Sequence, residues 1–99
     1  MGQDIIIEIA TMTLADGMTP EQFKPIDARV GDEHVKKQPG FKARQSGYDG
    51  NNWVAIVHWD SHEAAQASMD SFATAPAAAE FMGGIDPASI VMTRYSSAN

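Results

Sequence analysis

The stretch GNNWVAIVHWD, residues 50–60, decides the fold. Asp49-Gly50 is a turn signal, because glycine takes a positive φ without a steric penalty. Beyond it, Trp53 to Trp59 is almost wholly β-branched and aromatic, a composition suited to a pleated surface. Apolar residues fill the odd positions Trp53, Ala55, Val57 and Trp59, and also the even positions Val54 and Ile56. A strand that is apolar on both faces is one that is covered on both faces. His58 alone interrupts it.

Working outward, Phe41 to Tyr48 reads as the strand that precedes it, joined by a hairpin across Asp49-Gly50-Asn51-Asn52. The first strand is expected over Asp4 to Leu14, with Ile5, Ile7 and Ile9 on one face and Ile6, Ala10, Met12 and Leu14 on the other. It too is apolar on both sides, so it should be internal. Thr19-Pro20-Glu21-Gln22 marks a helix start, with Thr19 as the cap, Pro20 at the first position and Gln22 completing a capping box. Phe23, Ile26, Val30 and His34 form the apolar stripe of that helix, which runs toward Lys36 and Lys37. Pro25 cannot donate to the carbonyl of Glu21, so the helix either begins its long part there or bends there. Gly31 weakens it further. Asp60 or Ser61 caps a second helix, with Ala65, Met69 and Phe72 as its stripe. Pro76 opens a short extra helix that Gly83-Gly84 stops, Asp86-Pro87 turns, and Ser89 to Tyr95 is the last strand. Residues 1–3 and 96–99 are expected to be flexible ends.

Ninety-nine residues make one domain, 1–99. No apolar run approaches the ~20 residues that span a bilayer, and the start lacks the basic and apolar segments of a signal peptide. There is no cysteine, which excludes disulfides, thiolate nucleophiles and cysteine-bound metals and fits a reducing cytoplasm. A net charge of −6 argues against nucleic acid or an anionic membrane as partner, since both reward Lys and Arg. No cofactor is called for: Gly83-Gly84 lacks the spacing and following Lys of a phosphate loop. No metal is expected either. His62-Glu63-Ala64-Ala65-Gln66 is a broken zinc-protease motif, with Gln66 where the second histidine must stand.

The order β-α-β-β-α-β is a split βαβ, ferredoxin-like α+β unit with a four-stranded antiparallel sheet. Its first and third strands are central, and these are the two that are apolar on both faces. Two helices cover one face only, and the other would leave Ile, Val and Trp side chains in water. The solution is a second copy packed sheet to sheet: a homodimer, with room for a small organic ligand.

Several motifs carry a family resemblance that covers nearly the whole chain. They are Gln38-Pro39-Gly40-Phe41, Val57-His58-Trp59-Asp60-Ser61 followed by Glu63-Ala64, Phe81-Met82, Ile85-Asp86-Pro87 and Met92 with Tyr95. Together they resemble the dimeric α/β barrel superfamily, and within it a bacterial branch of the antibiotic-biosynthesis-monooxygenase-like domains. The resemblance implies a homodimer of facing sheets, forming a dimeric α/β barrel with a pocket in each protomer. It also implies either cofactor-independent oxygenation of a planar organic substrate or a non-catalytic ligand-binding or structural role. Haem-degrading members show an Asn in strand one, a second Trp in helix two and a later His. Here strand one has no Asn, Ser68 stands at the helix position and no His follows His62, so haem degradation is not expected.

His58 is the candidate catalytic residue, as a general base or a pocket hydrogen bond; the alternative is a histidine held by packing. Glu8 interrupts Ile5 to Ile9 and would pair with His58 if both faced one side, an arrangement that orients a base. Otherwise it faces solvent. The resemblance puts Trp59 at the border of the pocket; core packing is the other reading. Arg44 would bind an anionic group or make a salt bridge. His34 would reach the pocket or interact with the helix C-terminal dipole.

Overall fold

The computed structural model describes residues 5–98, so the expected flexible residues 1–3, the strand start at Asp4 and the terminal Asn99 lie outside it. The elements follow the expected order: β1 (Ile6–Thr13), α1 (Pro20–Glu33), β2 (Phe41–Asp49), β3 (Asn52–Trp59), α2 (His62–Phe72), α3 (Pro76–Gly83) and β4 (Val91–Ser96). The sheet is antiparallel in the order β2-β3-β1-β4. The two strands apolar on both faces are therefore the central ones, and the fold is ferredoxin-like.

The Thr19 capping box forms as expected. Thr19 Oγ1 accepts from the Gln22 amide at 3.2 Å, and Gln22 Oε1 accepts from the Thr19 amide at 2.9 Å. The break expected at Pro25 does not occur as a helix start: α1 begins at Pro20 and runs on through Pro25. Pro25 is exposed in the second turn, where water can satisfy the Glu21 carbonyl that proline leaves unpaired. The helix ends at Glu33 rather than near Lys36, and Val35–Lys37 forms a 3₁₀ turn. The buried stripe is Phe23, Asp27, Val30 and Gly31, with Ile26 only half-buried.

Two further boundaries and one buried stripe differ from expectation. The last strand starts at Val91, because Asp86 caps a 3₁₀ turn over Pro87–Ser89 by accepting from the Ala88 amide at 3.1 Å. Ser96 belongs to β4, and the Ser97 amide donates to the Ile5 carbonyl at 2.7 Å, so pairing extends into the residues expected to fray. In α2 the buried positions are Ala65 and Ser68, while Met69 is 37% exposed.

Register sorts the side chains by face. Glu8 stands opposite Val57 and Ile7 opposite His58. The helix-covered face therefore carries Ile6, Glu8, Ala10 and Met12 from β1, with Trp53, Ala55, Val57 and Trp59 from β3. Ile7, Ile9, Val54, Ile56 and His58 lie on the outer face, beside Val91 (59% exposed) and Tyr95 (52% exposed) of β4. A bulge between Phe41 and Ala43 shifts β2 by one residue. It lets both Phe41 and Arg44 point to the helix side, opposite Trp59 and Val57.

Candidate functional site

Between the sheet and the helices lies a cavity of about 250 Å³. Its origin is a pair of small residues. Ala10 and Ala55 face each other across the central strands, while the larger Trp53 and Trp59 occupy the ends of β3. Two packed clusters form around these ends, one holding Phe23, Trp53 and Phe81 and the other Val57, Trp59 and Ala65. Side chains from both meet over the alanines without filling the gap. The helices close it with Val30, Ser68, Phe72 and Phe81. Met69 and Met92, the lining residues that are most exposed (37% and 38%), mark its mouth between α2 and β4.

The polar lining is small and tied down. Glu8 is buried on β1; its Oε1 accepts from Trp59 Nε1 at 3.3 Å and its Oε2 from Arg94 Nε at 2.8 Å. Arg94 reaches on across the mouth, giving Nη1 to Gln66 Oε1 at 3.0 Å and Nη2 to Met69 Sδ at 3.9 Å. A buried ion pair lies at the other wall. Arg44 donates through Nη2 to Asp27 Oδ1 at 2.8 Å and through Nη1 to Asp27 Oδ2 at 3.0 Å. Asp27 also accepts from Ser46 Oγ at 2.7 Å and Trp53 Nε1 at 3.2 Å, so its desolvated charge is fully bonded. Arg44 Nε is buried and has no partner among the described residues. Gly31 makes the pair fit: a Cβ there would stand 3.2 Å from Arg44 Nη1. An alanine there would make the guanidinium give by a few tenths of an ångström.

Of the residues singled out from sequence, the cavity gathers Trp59, Glu8 and Arg44. His58 is not among its lining residues and lies across the sheet, half-buried between Ile7 of β1 and Ala43 of β2. The Glu8–His58 pair does not form, because the register puts the two side chains on opposite faces. Glu8 does not face solvent either; Trp59 and Arg94 hold it inside. Arg44 is committed to Asp27. His34 is the C-cap of α1 and is not itself a lining residue; its Nε2 stands 2.8 Å from Ser71 Oγ and its ring is edge-on to Phe72, which lines the cavity. Burial lowers its pKa below the ordinary histidine value, and Nδ1 has no partner among the described residues.

Sequence reasoning missed Asp27, Ser68 and the small-residue floor. The signals were present: Asp27 lies four residues after Phe23, on the buried stripe, and Ala55 stands between two tryptophans on one face of β3.

Among the described residues no group of three or more His, Asp or Glu is placed to hold a metal ion, and no helix is long and apolar enough to cross a membrane. No family model and no curated protein matches the sequence. Solved structures do. SnoaB, a cofactor-independent oxygenase from Streptomyces nogalater, superposes with a TM-score of 0.79 at 18% identity, covering 97% of this chain and 95% of that one. A Bordetella bronchiseptica protein named as a candidate antibiotic biosynthesis monooxygenase gives 0.80 at 13% identity, over 98% and 100%. A dimeric ferredoxin-like protein of unknown function from Thermobifida fusca gives 0.73 at 18%, over 96% and 92%. Across essentially its whole length, this chain carries the ferredoxin-like fold of the antibiotic-biosynthesis-monooxygenase-like proteins.

Proposed function

We propose that the protein is a small-molecule-binding homodimer that acts as a cofactor-independent, monooxygenase-like enzyme on a planar organic substrate. The observation that carries this reading is the cavity itself: about 250 Å³, walled by apolar side chains and holding one buried carboxylate, Glu8. That volume falls just below the roughly 300–1,000 Å³ of sites for drug-sized ligands, and suits a molecule of one or two rings. Removal of a proton from a CH₂ group gives a carbanion that forms a C–O bond to dioxygen; loss of the second C–H proton then breaks the O–O bond, leaving a C=O on the substrate and releasing the other oxygen as water. Such chemistry asks the protein for a proton acceptor and a site shielded from water. Glu8 is the lining group able to take a proton, and Trp59 is a wall. His58 as the base would have to act from the outer face.

The outer face supports the dimer. Ile7, Ile9, Val54, Ile56, Val91 and Tyr95 form an apolar surface that no element among the described residues covers, and the Thermobifida fusca neighbour is dimeric. Sedimentation at micromolar concentration should give twice the chain mass, and Ile9→Lys should shift it toward monomer. A stable wild-type monomer would refute the assembly.

One observation favours a second reading, ligand binding without catalysis. Both Glu8 oxygens already accept hydrogen bonds, which fits holding a ligand better than moving its proton. Oxygen uptake with 2-tetralone, a small bicyclic carbon acid, separates the two. An enzyme should consume oxygen above the protein-free rate and lose that excess in Glu8→Gln. Binding with no excess uptake would favour the non-catalytic role.

A further inference from the structure

The cavity combines a soft apolar lining with an unusual balance of polar groups. Met12, Met69, Met82 and Met92, four of the six methionines in the chain, line it. Thioethers adapt their shape and make favourable contacts with aromatic rings. The charges around it cancel in pairs, Glu8 with Arg94 and Arg44 with Asp27. A charged ligand would therefore enter with no counter-charge left for it, at a heavy desolvation cost.

Hydrogen-bonding capacity is lopsided. The Trp59 indole N–H is spent on Glu8, the Arg44 Nη groups on Asp27 and Ser46, and Arg44 Nε is sealed from solvent. An ionised carboxylate offers about four acceptor sites, and Glu8 uses two of them, for Trp59 and Arg94. Ser68 adds a hydroxyl from α2, which can donate once and accept twice. The wall thus offers more acceptor than donor sites.

Resting on the binding reading above, we propose that Glu8 sets the ligand specificity. The cavity takes an uncharged aromatic molecule of one or two rings whose hydroxyl or N–H donates to Glu8, and it rejects the carboxylate analogue. Arg94 is the positioning residue, holding the carboxylate toward the cavity while its other nitrogens reach α2.

Calorimetric titration of the wild-type protein at pH 7 with 2-naphthol, 2-methoxynaphthalene and 2-naphthoate tests this. A hydrogen bond to a charged acceptor corresponds to about tenfold or more in affinity. 2-Naphthol should therefore bind at least about tenfold more tightly than its methyl ether, and 2-naphthoate should not bind. In Glu8→Gln the advantage of the naphthol should collapse, and naphthoate should begin to bind because Arg94 loses its counter-charge. The wild-type comparison decides the matter even if that variant does not fold. Equal affinity for 2-naphthol and its methyl ether, or a preference for naphthoate, overturns the specificity and leaves the cavity as a ligand site. Failure of all three to bind overturns the binding reading as well.

Discussion

Ala55→Leu probes the cavity most directly. Ala55 is buried at its floor, opposite Ala10, and the void of about 250 Å³ would hold about eight waters at roughly 30 Å³ each. Leucine adds three carbons to that space. At about 0.8 kcal/mol per buried CH₂ the gross gain is about 2.4 kcal/mol. Ordering the leucine side chain offsets roughly 0.5–1 kcal/mol of it, leaving a net stabilisation of about 1.5 kcal/mol. For a domain of this size each kcal/mol moves Tm by about 4–8 °C, so the melt should rise by about 6–12 °C. Wild type and variant must be compared at one protein concentration, because dimerisation contributes to the apparent stability. Titration with 2-naphthol should show binding weakened in parallel, since the new side chain occupies ligand space. If the space were already filled, leucine would overpack the core and cost about 1–3 kcal/mol. A variant that melts lower than wild type would refute the account of the cavity.

Asp27→Ala should destabilise by about 3–5 kcal/mol in urea unfolding, because it leaves the Arg44 guanidinium buried without its partner; a cost under about 1 kcal/mol would show the pair to be solvated. The paired change Asp27→Leu with Arg44→Met should cost far less than Asp27→Ala alone. His34 gives a pH signature. Burial lowers its folded pKa below the unfolded value of about 6.5, so the unfolded state binds more protons between the two. Its contribution is full above about pH 6.5 and is lost as the pH falls from there through the folded pKa. Urea midpoints measured from pH 7.5 to 5 should fall less steeply in His34→Gln than in wild type, and identical slopes would contradict the assignment. His58→Gln should change stability by less than about 1 kcal/mol and leave 2-naphthol affinity unchanged, because His58 lies outside the cavity. A tenfold loss of affinity would show that the outer face communicates with the site.

Much of the architecture is legible in the sequence because it depends on local pattern. The β-branched and aromatic run from Trp53 to Trp59, the Gly50 turn and the capping box at Thr19 each bias only their own segment. The doubly apolar strands had to become β1 and β3 at the centre of the sheet, because only central strands are covered along both edges and on the helix face. The site depends instead on which residue stands opposite which. Along a strand the side chains alternate, so a slip of one residue between β1 and β3 would exchange the faces of all of them. Glu8 faces Val57 rather than His58, and that single step put the carboxylate in the cavity and the histidine outside it. The bulge at Phe41/Ala43 did the same for Arg44, turning it inward to Asp27 across from Gly31. Periodicity within one segment carries no register between two. Which polar side chains share the cavity was therefore decided by the tertiary pairing, where burying a carboxylate or a guanidinium is tolerable only if a partner stands within hydrogen-bond reach.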